Sequence, residues 1–160
     1  MKQELILITH GNLNNYFYKP YFFVTRVYFL RKIRMINIKN LPPIHHLLNG
    51  HDLNWDESLA QIHVKYTALE SFTNPRGNVE GGMICAMLDD AMGLLATMNT
   101  SQKPAATINL TMDFFRPCDI GVIEVKACFI KQGNKILNIE SEAWQHKKLV
   151  AKSSAAFMVL

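Results

Sequence analysis

The stretch Asn74 to Gly93, NPRGNVEGGMICAMLDDAMG, holds the residue types and spacing that do chemistry. Two adjacent carboxylates, Asp89 and Asp90, lie in a run that is otherwise apolar on every side. Buried carboxylates are costly unless they are paired, hydrogen-bonded or used. The Gly81-Gly82 pair stands where that run begins, after a polar loop opened by Asn74. If the run is a helix, its first N–H groups are free and sit at the positive end of the dipole. They can hold a developing negative charge there. A carboxylate base and an oxyanion site in one motif suit attack on a carbonyl.

Other chemistries find less support. No GxSxG elbow and no P-loop occur. His45, His46, His51 and His63 match no metal-ligand spacing, so no metal site is expected. Cys85, Cys118 and Cys128 are odd in number, widely spaced and without a CxxC pair. That pattern fits reduced thiols in a cytoplasmic protein rather than a disulfide framework. The methionines of the central run, Met83, Met87, Met92 and Met98, read as core that could also line an acyl pocket.

The elements that must position these residues follow from periodicity. Ser58 to Ala68 alternates, with Ala60, Ile62, Val64 and Tyr66 on one face, which predicts a strand. A loop spans Thr73 to Gly82, and a helix of roughly 16 residues runs to about Thr97. Pro104 stops any continuation. Ala106 to Phe115 alternates again: Ala106, Ile108, Leu110, Met112 and Phe114 share one face, and Thr107, Asn109, Thr111 and Asp113 the other. Three further strands are expected over Val122–Lys131, Lys135–Trp144 and Leu149–Val159, with turns at Gln132-Gly133-Asn134 and Gln145-His146-Lys147. Upstream, Leu41-Pro42-Pro43 ends an extended lead-in and Ile44 to Leu48 forms a short helical turn. The expected fold is α+β: one antiparallel sheet curled around a long central helix. That arrangement explains a helix apolar all round. It leaves sheet edges to be covered by another copy of the chain.

Composition divides the chain at residue 34. Residues 1–34 carry six basic residues against Glu4 alone, and eight of the sixteen aromatics. The remaining residues hold 11 Lys and Arg against 12 Asp and Glu, so the overall +4 belongs to the first segment. Residues 35–160, the expected folded domain, therefore offer no electrostatic reason to bind nucleic acid. The apolar stretch Tyr21 to Leu30 is broken by Arg26 and falls short of the roughly 20 residues of a membrane span. No stable membrane insertion is expected. Residues 1–34 read as a basic aromatic extension, either disordered or preceding a natural start at Met35; a basic helix on a membrane surface is the other reading.

With these pieces in order, the chain resembles the hotdog-fold thioesterases, specifically the PaaI-like acyl-CoA thioesterase family. The likeness runs from about Trp55 to the C-terminus. It rests on Asn74-x-x-Gly77, Gly81-Gly82, Leu88-Asp89-Asp90-Ala91-x-Gly93, Phe115-Arg116-Pro117, the Gly121 turn and the Gln132-Gly133 hairpin. The resemblance implies hydrolysis of acyl-CoA thioesters without metal or organic cofactor. It also implies a homodimer, often paired into a homotetramer, with active sites between protomers. Position by position, Asp89 resembles the catalytic carboxylate, acting as general base or nucleophile. Gly81 resembles the backbone donor to the thioester carbonyl, with Gly82 beside it. Asn74 resembles the group that positions substrate or water, and Thr107 a Ser/Thr that orients the attacking water.

The residue before the glycine pair departs from the pattern: relatives carry His or Gln, and this chain carries Glu80. Ionised Glu cannot donate a hydrogen bond towards the thioester. Glu80 is either protonated, turned outward or differently employed. Glu80 and Asp89 are separated by about 900° of helix rotation, so they point to roughly opposite faces. A shared site would take Asn74 to Gly81 from one protomer and Asp89 from the other. A non-catalytic acyl-CoA binding protein on the same scaffold is the competing class. A dehydratase or hydratase is the third, disfavoured because no His pairs with the Asp in the loop or helix.

Overall fold

The computed structural model describes residues 33–35, 41–56, 58–100 and 103–160. Strand β1 covers Ile33–Met35, helix α1 Pro43–Leu47, β2 Gly50–Asp56 and β3 Gln61–Ala68. A short 3-10 turn at Glu70–Phe72 leads through a loop to helix α2, Gly81–Asn99. Strands β4 (Ala105–Phe114), β5 (Gly121–Gln132), β6 (Ile136–Gln145) and β7 (Lys148–Val159) follow. All pair antiparallel in one seven-stranded sheet of order β1-β2-β3-β5-β6-β7-β4. The sheet wraps α2, which packs against β3, β4, β5, β6 and β7. This is the hotdog fold, and it matches the expected architecture.

The sheet's inner face is the apolar half of each alternation. Ile62, Val64 and Tyr66 from β3, Ile123 and Val125 from β5, Leu137 and Ile139 from β6, and Phe157 from β7 are buried against the helix. From α2 come Met87, Leu88, Met92 and Leu95, each fully enclosed. Burying a side chain of this size stabilises the fold by about 1.5–3 kcal/mol. By length and composition Gly81–Met98 could cross a membrane. Here that apolarity is used against a sheet that surrounds it.

Four local features differ from the expected pattern, each for a physical reason. Ser58 to Ala60 is a turn, not the start of β3. Asp56 Oδ1 accepts the Ser58 and Leu59 N–H groups at 3.0 and 3.2 Å, and Ala60 takes a positive φ of 46°. This Asx-type turn overrides the alternation. Strand β2 was not expected, because His51, Asp52 and Asn54 are poor strand formers; pairing with β3 imposes it. Helix α2 reaches Asn99, two residues beyond the expected end. Its C-cap Thr100 donates its hydroxyl to Ala96 O at 3.0 Å. Last, β1 crosses the boundary expected at residue 34: Ile33 and Arg34 pair with Asp56 and Trp55. Readings made on residues 1–32 lie outside the described residues.

Candidate active site

Strand β4 is the far edge of the sheet, bonded only to β7 among the described residues. Its two halves are out of phase. Thr107 stands opposite Phe157, but Asn109 stands opposite Ala156, so one extra residue, Ile108, enters as a β-bulge. Phe157 and Ala155 point to the core, and their partners Thr107 and Leu110 share that inner face. The simple alternation had put Thr107 on the opposite face from Leu110, Met112 and Phe114. The bulge corrects this and aims Thr107 at α2.

There it meets Asp89. The Thr107 hydroxyl donates to Asp89 Oδ1 at 3.0 Å. Asp89 is half-buried, with Cys85 one turn before it on the helix. Burial raises the Asp89 carboxyl above the ordinary range; the Thr107 hydrogen bond opposes this, and the Asp90 charge adds to it. The Cys85 thiol is also raised, first by burial and then by the Asp89 charge. Cys118 is pushed up to about 11 by burial and by Asp119. A high thiol pKa means little thiolate.

Asp90, about 100° further round the helix, faces the opposite flank. Its Oδ2 accepts from Tyr66 OH at 2.8 Å and meets His45 Nδ1 at 2.6 Å. The side chains of His45 and Asp90 are 0% and 4% exposed. A histidine does therefore pair with a carboxylate of this helix, but with Asp90, and it comes from α1.

The N-terminal end of α2 forms a separate group. Glu80 is the N-cap, exposed, with no side-chain bond to the helix. Of the three roles considered for it, turning outward matches this placement. Its carbonyl accepts the Met83 and Ile84 N–H groups at 2.9 and 3.2 Å. The Gly81 and Gly82 N–H groups precede any intrahelical acceptor. Neither glycine has a positive φ. Gly81 instead sits in close approach: a Cβ there would lie 3.2 Å from Phe114 Cζ and push on the ring, while one on Gly82 would meet nothing. Phe114, a ring about half exposed beside the candidate oxyanion donor, is a lining residue that the motif reading missed. Its place on the inner face of β4 was the available signal.

Asn74 holds its own loop. Its Oδ1 accepts Arg76 N–H at 2.9 Å, and its backbone is bonded to Asn78 and Gly77. Of the residues singled out in the sequence, the fold brings Asp89 and Thr107 together. Asn74, Glu80, Gly81 and Gly82 gather at the other end, eight residues or about 12 Å along the helix from Gly81 to Asp89.

The thioesterase superfamily model matches residues 76–152. A solved structure from Ralstonia eutropha, named a "putative thioesterase, phenylacetic acid degradation-related protein", is 33% identical. It aligns over 75% of this chain and 92% of its own, with a TM-score of 0.72. The chain belongs to the thioesterase superfamily. The E. coli PaaI protein shares the fold at 23% identity and a TM-score of 0.65, over 72% of this chain and 83% of PaaI. In sequence, an uncharacterised acyl-CoA thioester hydrolase of Zymomonas mobilis is 28% identical over 83 residues. That match takes in 51% of this chain and 56% of the relative, so the chain spans little more than half of that protein. The matched residues of this superfamily member include Gly81, Asp89, Asp90 and Thr107.

Proposed function

We propose that this protein is an acyl-CoA thioesterase that hydrolyses an acyl- or aryl-CoA thioester to the free acid and CoA. The observation that carries the proposal is the Thr107–Asp89 hydrogen bond at the β4 edge of the sheet. Relatives named acyl-CoA thioester hydrolases, in Zymomonas and Haemophilus, support the substrate class.

In this reading Asp89 is the general base. Thr107 donates to Asp89 Oδ1, leaving the other carboxylate oxygen to take a proton from water. The Thr107 oxygen keeps lone pairs to accept the second water hydrogen. The hydroxide equivalent attacks the thioester carbonyl. Gly81 N–H, at the helix N-terminus, stabilises the oxyanion. The C–S bond breaks, and the CoA thiolate takes up the proton Asp89 accepted. A carboxyl raised by burial is the stronger base for this step.

Asp89 and Gly81 lie too far apart on one helix to serve one carbonyl. The site therefore forms between two protomers that pair through β4, with Asn74, Glu80, Gly81 and Gly82 from one and Asp89 and Thr107 from the other. Pairing of two such dimers would give a tetramer. Three free cysteines support a reducing, cytoplasmic location.

The test is CoA release by the full chain over a panel of acyl-CoAs, with Asp89→Asn alongside. Turnover that falls about a hundredfold or more in the variant is expected for loss of a general base. Binding of acyl-CoA without turnover on any thioester would favour the non-catalytic binding protein, for which the exposed Glu80 carboxylate beside Gly81 is the structural argument.

A further inference from the structure

Asp90 presents a second carboxylate that the proposed reaction does not use. It is almost wholly enclosed, and a carboxylate there is tolerable only because donors surround it. Both donors meet the same oxygen, Oδ2: Tyr66 OH from β3 and His45 Nδ1 from α1. The Tyr66 hydroxyl is pushed far up by burial and then by the Asp90 charge, so it remains a protonated donor. His45 is fully buried, and no partner meets its Nε2 among the described residues. The surrounding backbone is fitted to the ring, because a Cβ on Gly50 would overlap it. Two elements, α1 and β3, thus converge on one side chain of α2, adjacent in sequence to Asp89.

We propose that the His45–Asp90–Tyr66 cluster is a positioning device for the active site, which locks the turn of α2 carrying Asp89 and sets a second carboxylate beside it. The proposal rests on the reading of Asp89 as general base. Asp90 touches no reacting atom; it acts through Asp89. A carboxylate held close by disfavours ionisation of Asp89, which therefore binds its proton more tightly than it would alone.

The other groups around this pair are few. From β4, Thr107 faces Asp89; from α2 itself, Cys85 does. From α1 and β3, His45 and Tyr66 face Asp90. The buried inner-face residues of β5, β6 and β7 that meet α2, among them Val125, Ala127, Ile139, Ser141, Ala151 and Ser153, bring no acid or base.

The single-oxygen geometry supplies a clean test. In Asp90→Asn the amide oxygen can take the place of Oδ2 and keep both hydrogen bonds, so that the charge alone is lost. The readouts are the side-chain 13C titration of Asp89 and the pH profile of kcat/KM, each in wild type and variant. Removing the second carboxylate is expected to lower the Asp89 midpoint and to move the acid limb of the profile to lower pH. Identical midpoints in the two folded proteins would overturn the proposal and leave Asp90 a purely structural residue. Should Asp90→Asn fail to fold, the wild-type titration decides. An Asp89 midpoint above about 3.9 is expected, and one at or below it would overturn the idea. The titration needs no substrate, so absence of turnover, which bears on the hydrolase reading, cannot be confused with absence of coupling.

Discussion

The two flanks of helix α2 treat the same side chain in opposite ways. On the flank towards α1 and β3, Asp90 is enclosed and given two donors on one oxygen. On the flank towards edge strand β4, Asp89 is half-buried and given one donor, the Thr107 hydroxyl. The enclosed carboxylate, reached by two donors, is closed off from a reactant. The under-saturated one retains basicity, because burial lifts it further than a single hydrogen bond restrains it. A rotation of about 100° between neighbouring helix residues separates a carboxylate that anchors from one that can react. An edge strand is where such a difference arises, since it is the last layer of cover the chain itself provides.

The strongest way to break the comparison is Asp89→Asn. Beyond the loss of turnover expected above, stability should rise. The folded Asp89 pKa is raised above its unfolded value, so its stabilising contribution is present below the unfolded pKa and is lost as pH rises through the folded one. At pH 7 the ionised group is therefore a burden, and Asn removes it. Thermal melts should place the variant above wild type at pH 7, with the gap closing in acid. A variant that melts lower at both pH values would show that Asp89, like Asp90, is an anchor.

Next in size is Gly50→Ala. The new methyl group overlaps the His45 ring and must expel it, breaking the bond to Asp90. Overpacking and a lost charged hydrogen bond together should cost about 3 kcal/mol in urea unfolding. Because Gly50 lies on the anchoring flank, stability should suffer before substrate binding does; unchanged unfolding would mean that His45 is not held as the fold implies.

Thr107→Val keeps the shape of β4 and removes the donor. Loss of a hydrogen bond to a charged group predicts about a tenfold fall in kcat/KM. The bond lowers the Asp89 pKa, so its removal should move the acid limb of the profile upward, opposite to Asp90→Asn. Movement in the same direction would contradict the assignment of the two flanks.

The smallest effect concerns Cys85. The Asp89 charge contributes to its raised pKa, after burial. In Asp89→Asn, iodoacetamide at pH 8 should therefore alkylate Cys85 faster, by about two- to threefold. Equal rates in the two proteins would place Cys85 outside the field of Asp89.

Much of the architecture is legible in the chain because its causes are local. The all-round apolarity of Met83 to Met98 called for a surrounding sheet, and the alternations of residues 122–131, 135–144 and 149–159 located β5, β6 and β7. The β6–β7 hairpin was marked only by polarity, yet it turns on His146 and Lys147 with φ of 50° and 61°. That geometry suits the right-handed twist of the strands it joins. Strand β2 was invisible because its residues do not prefer a strand and its pairing with β3 compels one.

For the candidate site, residue types alone singled out Asp89 and Gly81, because a carboxylate in an apolar helix and a glycine pair at its start are chemical anomalies wherever they fold; Asn74 came from the family resemblance. What tertiary structure decided was orientation and company. The bulge at Ile108 turned Thr107 towards Asp89, Phe114 came to lie over Gly81, and His45 crossed 45 positions of sequence to reach Asp90. Helical and strand periods are properties of neighbouring residues and can be read along the chain. A bulge and a long-range hydrogen bond depend on which strands and helices pack together, and that choice is made by the whole core at once.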